Sequence, residues 1–125
     1  MRTRLGDLLR SIRMKADISL RRMASDLGIS PAFLSAVENG KKKMPDSWIS
    51  LIPETYSLSA DEIEEFKDVA YESFDTVAVN IANASETNKK LAIRFARRFE
   101  DIDEKTSEEL LSILESKLKE GSPHE

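Results

Sequence analysis

Leu5, Leu8, Leu9 and Ile12 recur at three- and four-residue spacing and form one apolar stripe, which predicts a helix from about Arg4 to Lys15. Asp17 supplies a turn, since Asp tolerates left-handed backbone better than most residues. Ser19 caps a second helix running to about Leu27, and Gly28 takes the positive φ of the next turn. Ser30 caps a third helix with Pro31 at its first position, and Asn39-Gly40 stops it. A fourth segment carries Trp48, Ile49, Leu51 and Ile52, with a turn and restart expected at Pro53. Ser59 and Glu62 form a capping box opening a fifth helix to about Ser73, with Ile63, Phe66, Val69, Ala70 and Phe74 as its apolar positions.

From Thr76 the pattern changes. Val77, Val79 and Ile81 alternate with smaller or polar residues in a β-branched run, the one credible strand of an otherwise helical chain. Such a strand needs a partner. The segment reads either as a strand paired with its own copy across a two-fold axis or as an extended linker. Beyond it, a helix from Ser85 to about Glu100 places Leu91, Ala92, Phe95, Ala96 and Phe99 on one face. Thr106 and Glu109 read as a second capping box. They start a last helix that carries Leu110, Leu111, Ile113, Leu114 and Leu118 and ends near Gly121, before a frayed tail.

Within Leu20–Val37 the spacing is that of two short helices crossing through a tight turn. Ala24 lies four residues before Gly28, and Leu34 and Val37 lie six and nine after it. Ala24 gives the small contact a steep crossing requires, Gly28 the chain reversal, and Met23, Leu27, Ile29, Leu34 and Val37 a small core. The third helix then exposes Ser30, Pro31, Ala32, Phe33, Ser35, Ala36 and Asn39. Phe33 is open to two placements, a partly exposed edge or packing against the fourth segment.

Charge first argues against a nucleic-acid partner, because the net charge is −4 over 125 residues. Divided, the chain reads differently: residues 1–58 hold ten Lys/Arg and six Asp/Glu, whereas 59–125 hold nine and seventeen. A basic first part and an acidic second part imply two tasks. Arg21 and Arg22 open the second helix and Lys41, Lys42 and Lys43 follow the third. Such side chains bind phosphates, giving affinity and salt dependence without sequence choice. Arg2 and Arg4 are either an N-terminal arm on the DNA backbone or a disordered basic terminus.

Residues 6–58 resemble the Cro and phage-repressor (XRE-like) helix-turn-helix family. The carrying residues are GDLLRSIR at 6–13, SLRRMASDLGIS at 19–30 and PAFLSAVENGKKKMP at 31–45, with Glu38-Asn39-Gly40-Lys41 a typical ending. The resemblance implies a five-helix, lambda-repressor-like DNA-binding domain, usually dimeric on palindromic operators. It also implies an ion pair between Arg13 and Glu38 tying the first helix to the end of the third. The chain departs from the family at Leu20, where a glutamine is common, and at Pro31, Ala32 and Ala36, where long polar residues are common. With no Arg, Lys or Gln between Ser30 and Asn39, bidentate guanine readout from this helix is absent. Serine hydroxyls, thymine-methyl contacts from Ala32 or Phe33, bridging water and DNA shape are left to set base choice.

Other chemistries lack their residues. There is no cysteine and one histidine, His124, so disulfides and Cys/His zinc sites are excluded, and no metal or cofactor is expected. Asp101 and Asp103 begin like a calcium loop, but Thr106 and Ser112 stand where its glycine and final glutamate belong. No glycine loop cradles phosphate, no apolar run spans a membrane, and an enzyme is the least supported class. The expectation is a cytoplasmic all-α protein. Residues 1–75 form a helix-turn-helix DNA-binding domain. Residues 76–125 form an extension of a short strand and two amphipathic helices that dimerises through Val77, Val79, Ile81, Leu91, Phe95, Phe99, Leu110 and Leu114. Its expected function is that of a dimeric repressor on duplex DNA. An antitoxin that binds a basic toxin through its acidic part is the alternative, and an interaction module without DNA binding is a third class.

Overall fold

The computed structural model describes residues 2–118. Among these, seven α-helices and one 3-10 turn account for all regular structure: α1 (Arg4–Ala16), α2 (Leu20–Leu27), α3 (Pro31–Glu38), α4 (Trp48–Thr55), α5 (Ala60–Glu72), α6 (Glu86–Arg98), the turn Phe99–Asp101, and α7 (Glu104–Leu118). The chain divides into two compact units, Met1–Val77 and Ala78–Glu125.

Local chemistry sets the helix limits in the first unit. The Ser19 and Ser30 hydroxyls accept from the backbone N–H groups of Arg22 (3.0 Å) and Phe33 (3.1 Å), and Pro31 occupies the first turn of α3. Ser59 and Glu62 form the reciprocal capping box of α5, at 3.2 and 2.7 Å. Asp17 leaves α1 at φ 59° and Gly28 leaves α2 at φ 71°. At Gly28 the chain closes a Schellman pair: Ile29 N–H donates to Ala24 O (3.0 Å) and Gly28 N–H to Ser25 O (3.1 Å).

The expected break at Pro53 does not occur; α4 runs through it to Thr55. Proline removes one helical donor at a cost of about 3 kcal/mol in a helix interior. Here Trp48 and Ile52 are fully buried on the same helix, and Ile52 alone contributes about 1.5–3 kcal/mol. Only Glu54 and Thr55 follow the proline, and the Pro53 carbonyl accepts from Leu58 N–H (3.0 Å), which reverses the chain toward α5.

One core of fourteen buried apolar residues holds α1–α5 together, from Leu5, Leu9 and Ile12 through Met23, Ala24, Leu34, Val37, Trp48 and Ile52 to Phe66, Val69 and Ala70. α3 packs on both α1 and α2, while α5 packs on α1 and α4. Gly6 permits the α1–α3 approach: a Cβ there would lie 2.3 Å from the Glu38 carbonyl oxygen. Surface ion pairs Arg4–Glu72 and Lys15–Glu62 also join α1 to α5.

The second unit is built differently. Ser85 caps α6 by accepting from Asn88 N–H (3.0 Å), and the last turn tightens into the 3-10 segment Phe99–Asp101. The expected cap at Thr106 is corrected. α7 starts at Glu104, and Asp103 accepts from Thr106 N–H at 2.8 Å. Aspartate is the stronger N-cap, and it stands at the right spacing one turn earlier. The Thr106 hydroxyl, and after it this N–H, hold the Asp103 carboxyl below the usual carboxylate range. The strand expected over Thr76–Ile81 does not form in this chain, whose described residues include none. A strand exists only through a neighbour's backbone, and these residues have none beside them; Asn80 instead accepts from Ala82 N–H (3.0 Å). No residue of α6 or α7 is buried, and the two helices do not pack on each other. The expected end near Gly121, the tail and His124 lie outside the described residues.

Candidate nucleic-acid interface

α3 is held from three sides. Leu34 and Val37 anchor it in the core. At its C-terminal end the Arg13 guanidinium faces the Glu38 carboxylate, both buried: Arg13 Nη2 donates to Glu38 Oε1 (3.3 Å), while Nη1 donates to Oε2 and to Met23 Sδ (3.6 Å). The Glu38 carbonyl also accepts from Thr3 N–H (3.0 Å) and Thr3 Oγ1–H (3.2 Å). Thus the N-terminus of α1 and the middle of α1 both fix where α3 ends. Beyond it, Gly40 at φ 79° donates to Val37 O (3.1 Å) and Lys41 N–H to Ala36 O (2.8 Å), a second Schellman closure that releases the lysine run at the surface.

The outward face of α3 is short and nearly uncharged. Ser30 and Ala32 are exposed, and Pro31, Ser35, Ala36 and Asn39 are half-buried. Phe33 combines both placements open to it. It is half-buried, with its ring edge-on to Trp48 at 6.4 Å between centroids. That contact directs the aromatic surface toward α4 and leaves Ala32 as the exposed apolar group of the helix.

The cations around α3 fall into two groups. Arg21, Lys41 and Lys42 are exposed and pair with no carboxylate among the described residues. Arg22 and Lys43 are engaged, with Asp26 (3.1 Å) and Asp75 (2.7 Å). The two arginines near the N-terminus are engaged as well, Arg2 with Asp7 (3.2 Å) and Arg4 with Glu72 (2.7 Å).

Sequence reasoning missed three groups that position this surface. Gly6 and Thr3 act through the Glu38 carbonyl, and a glycine within the first apolar stripe is the signal that could have marked the close approach. The third is Tyr56, whose hydroxyl donates to Asp26 Oδ2 (2.9 Å) and ties α4 to α2. Burial, then the Asp26 hydrogen bond, raises the Tyr56 phenol well above its ordinary value. Asp26 is lowered, first by that hydrogen bond and then by the one from Arg22.

Of the residues expected to dimerise, Val77, Val79, Leu91, Phe95, Phe99, Leu110 and Leu114 are exposed and Ile81 is half-buried. The element limits also relocate the acidic charge. Residues 59–75 carry seven Asp/Glu and one Lys, whereas 76–125 carry ten and eight Lys/Arg. Most of the acidity therefore belongs to α5 and its flanks, inside the first unit. Among the described residues there is no cluster suited to a metal ion, and no helix is long and apolar enough to cross a membrane.

A helix-turn-helix domain family matches residues 4–66, half of the chain, and the chain belongs to that family. Searches of curated proteins and of solved structures find no match.

Proposed function

We propose that this helix-turn-helix protein is a sequence-specific transcriptional regulator, a dimeric repressor in which residues 1–75 bind one half-site of a palindromic operator and residues 76–125 join two copies. The observation that carries the reading is the outward face of α3, free of core duties, with the unpaired cations Arg21, Lys41 and Lys42 in the flanking segments. In this arrangement α3 enters the major groove and the cations meet phosphates. The N-terminus of α2 adds unpaired backbone N–H groups and a positive dipole end toward the same backbone.

Ser30, Ala32, Ser35 and Asn39 make the base contacts, which are few and lack guanidinium forks. DNA shape and half-site spacing therefore carry much of the operator choice. Arg22 and Lys43 reach phosphate only by leaving their carboxylates, so they contribute less than Arg21, Lys41 and Lys42. The relocated charge weighs against a toxin-wrapping acidic extension, since residues 76–125 are close to neutral.

The test is fluorescence-anisotropy binding of the full chain to a random-sequence duplex across a salt series. The wild type binds with a steep salt slope, and Lys41→Ala with Lys42→Ala lowers that slope by about 0.9 per lysine. Absence of duplex binding at every salt concentration would overturn the reading.

A further inference from the structure

The two helices of the second unit carry opposite charge, each beside an uncovered apolar stripe. Along α6 and into the 3-10 turn that follows it, Leu91, Phe95 and Phe99 form a stripe at four-residue spacing, all exposed. This helix holds five Lys/Arg and one Glu. Arg94 and Arg98 run along one border of the stripe. On α7, Leu111, Leu114 and Leu118 form the corresponding exposed stripe, on a helix with four Glu and two Lys. Glu108 and Glu115 run along its border. No charged side chain of either helix forms an ion pair among the described residues.

The two helices are complementary, yet they do not pack on each other within the chain. We propose that they meet in trans, α6 of one copy packing on α7 of a second copy and the reverse contact completing the pair. A two-fold axis then covers both stripes of both chains at once, with basic border against acidic border. Pairing like with like would instead juxtapose the cations of two α6 helices and the glutamates of two α7 helices, which is repulsive. The self-complementarity of α6 and α7 points to a second copy of this chain as the occupant. The inference rests on the dimeric reading above and specifies which helices pair.

Charge reversal in the full chain tests it, with mass measured by light scattering over a concentration series and helicity by circular dichroism. One variant carries Arg94→Glu and Arg98→Glu, making the borders of both its stripes acidic; the other carries Glu108→Arg and Glu115→Arg, making both borders basic. All four positions are exposed, so the fold of the first unit is retained. The wild type is expected to dimerise. Each variant alone should dissociate about tenfold more readily or more, and an equimolar mixture should regain the wild-type mass, because every α6–α7 contact in the heterodimer is again oppositely charged. A wild-type monomer at all concentrations would overturn the dimeric reading itself. A dimeric wild type whose variants remain dimeric alone, or whose mixture fails to recover, would leave that reading standing and overturn the trans pairing.

Discussion

The first unit buries Leu34, Trp48, Ile52 and Phe66 almost completely, while in the second Leu91, Phe99, Leu111 and Leu118 each keep more than half their surface in water, at 65%, 60%, 56% and 57% exposure. Both are made of capped amphipathic helices, so helix formation alone does not distinguish them. What differs is closure. In the first unit every apolar stripe finds another within the chain, whereas in the second the stripes remain open. A helix pair without a buried face has little to offset its conformational entropy. The first unit has a core of its own, whereas no residue of α6 or α7 is buried, and in the proposed dimer the second unit gains its core from the other copy.

That contrast can be broken from either side. The largest expected effect is at the buried ion pair. Glu38→Gln or Arg13→Met alone leaves an unpaired buried charge and should cost about 3–5 kcal/mol, read as a loss in the denaturation midpoint of Trp48 fluorescence. Replacing both with apolar residues of similar volume should recover much of it. Next comes Gly6→Ala, where the new Cβ meets the Glu38 carbonyl and must push α1 from α3, a loss of about 1–3 kcal/mol. Phe95→Ser in α6 should leave the Trp48 transition within about 0.5 kcal/mol of wild type while weakening self-association. A large shift of that transition would show that the first unit does not stand alone.

The smallest effect is pH-dependent. Asp26 has a lowered folded-state pKa, so its pairing adds stability above the ordinary carboxylate range, lost as pH falls through the folded value. The Tyr56 phenol is raised, so its contribution is complete below the ordinary tyrosine value and lost as pH rises through the folded one. Tyr56→Phe should therefore flatten the acid limb, seen by comparing urea midpoints at neutral pH and about pH 3. An unchanged difference between the two midpoints would remove the Tyr56–Asp26 link.

Local features were legible in the residues. Ser19, Ser30, Ser59 and Gly28 act over three or four positions, and their caps and turn stand where the spacing puts them. The stripe of Leu5, Leu9 and Ile12 was equally readable, because helical period and burial coincide there. The remaining features depended on distant neighbours. Pro53 stays helical because Trp48 and Ile52 are held by the core. Lys43 is engaged by Asp75, 32 positions along the chain, so its difference from Lys41 has no local signature. At the start of α7 two cap patterns overlapped, and Asp103 prevailed over Thr106. For Val77 and Val79 the missing information is the neighbouring backbone that any strand requires.

The division of labour is tested most directly by selecting bound duplexes from a random pool, with the full chain and with a chain ending at Phe74 run side by side. The full chain should enrich an inverted repeat whose half-sites lie about one DNA turn, roughly 34 Å, apart, while the shortened chain, folded by its own core, enriches at most the half-site. Enrichment of the same inverted repeat with equal strength by both chains would contradict the account.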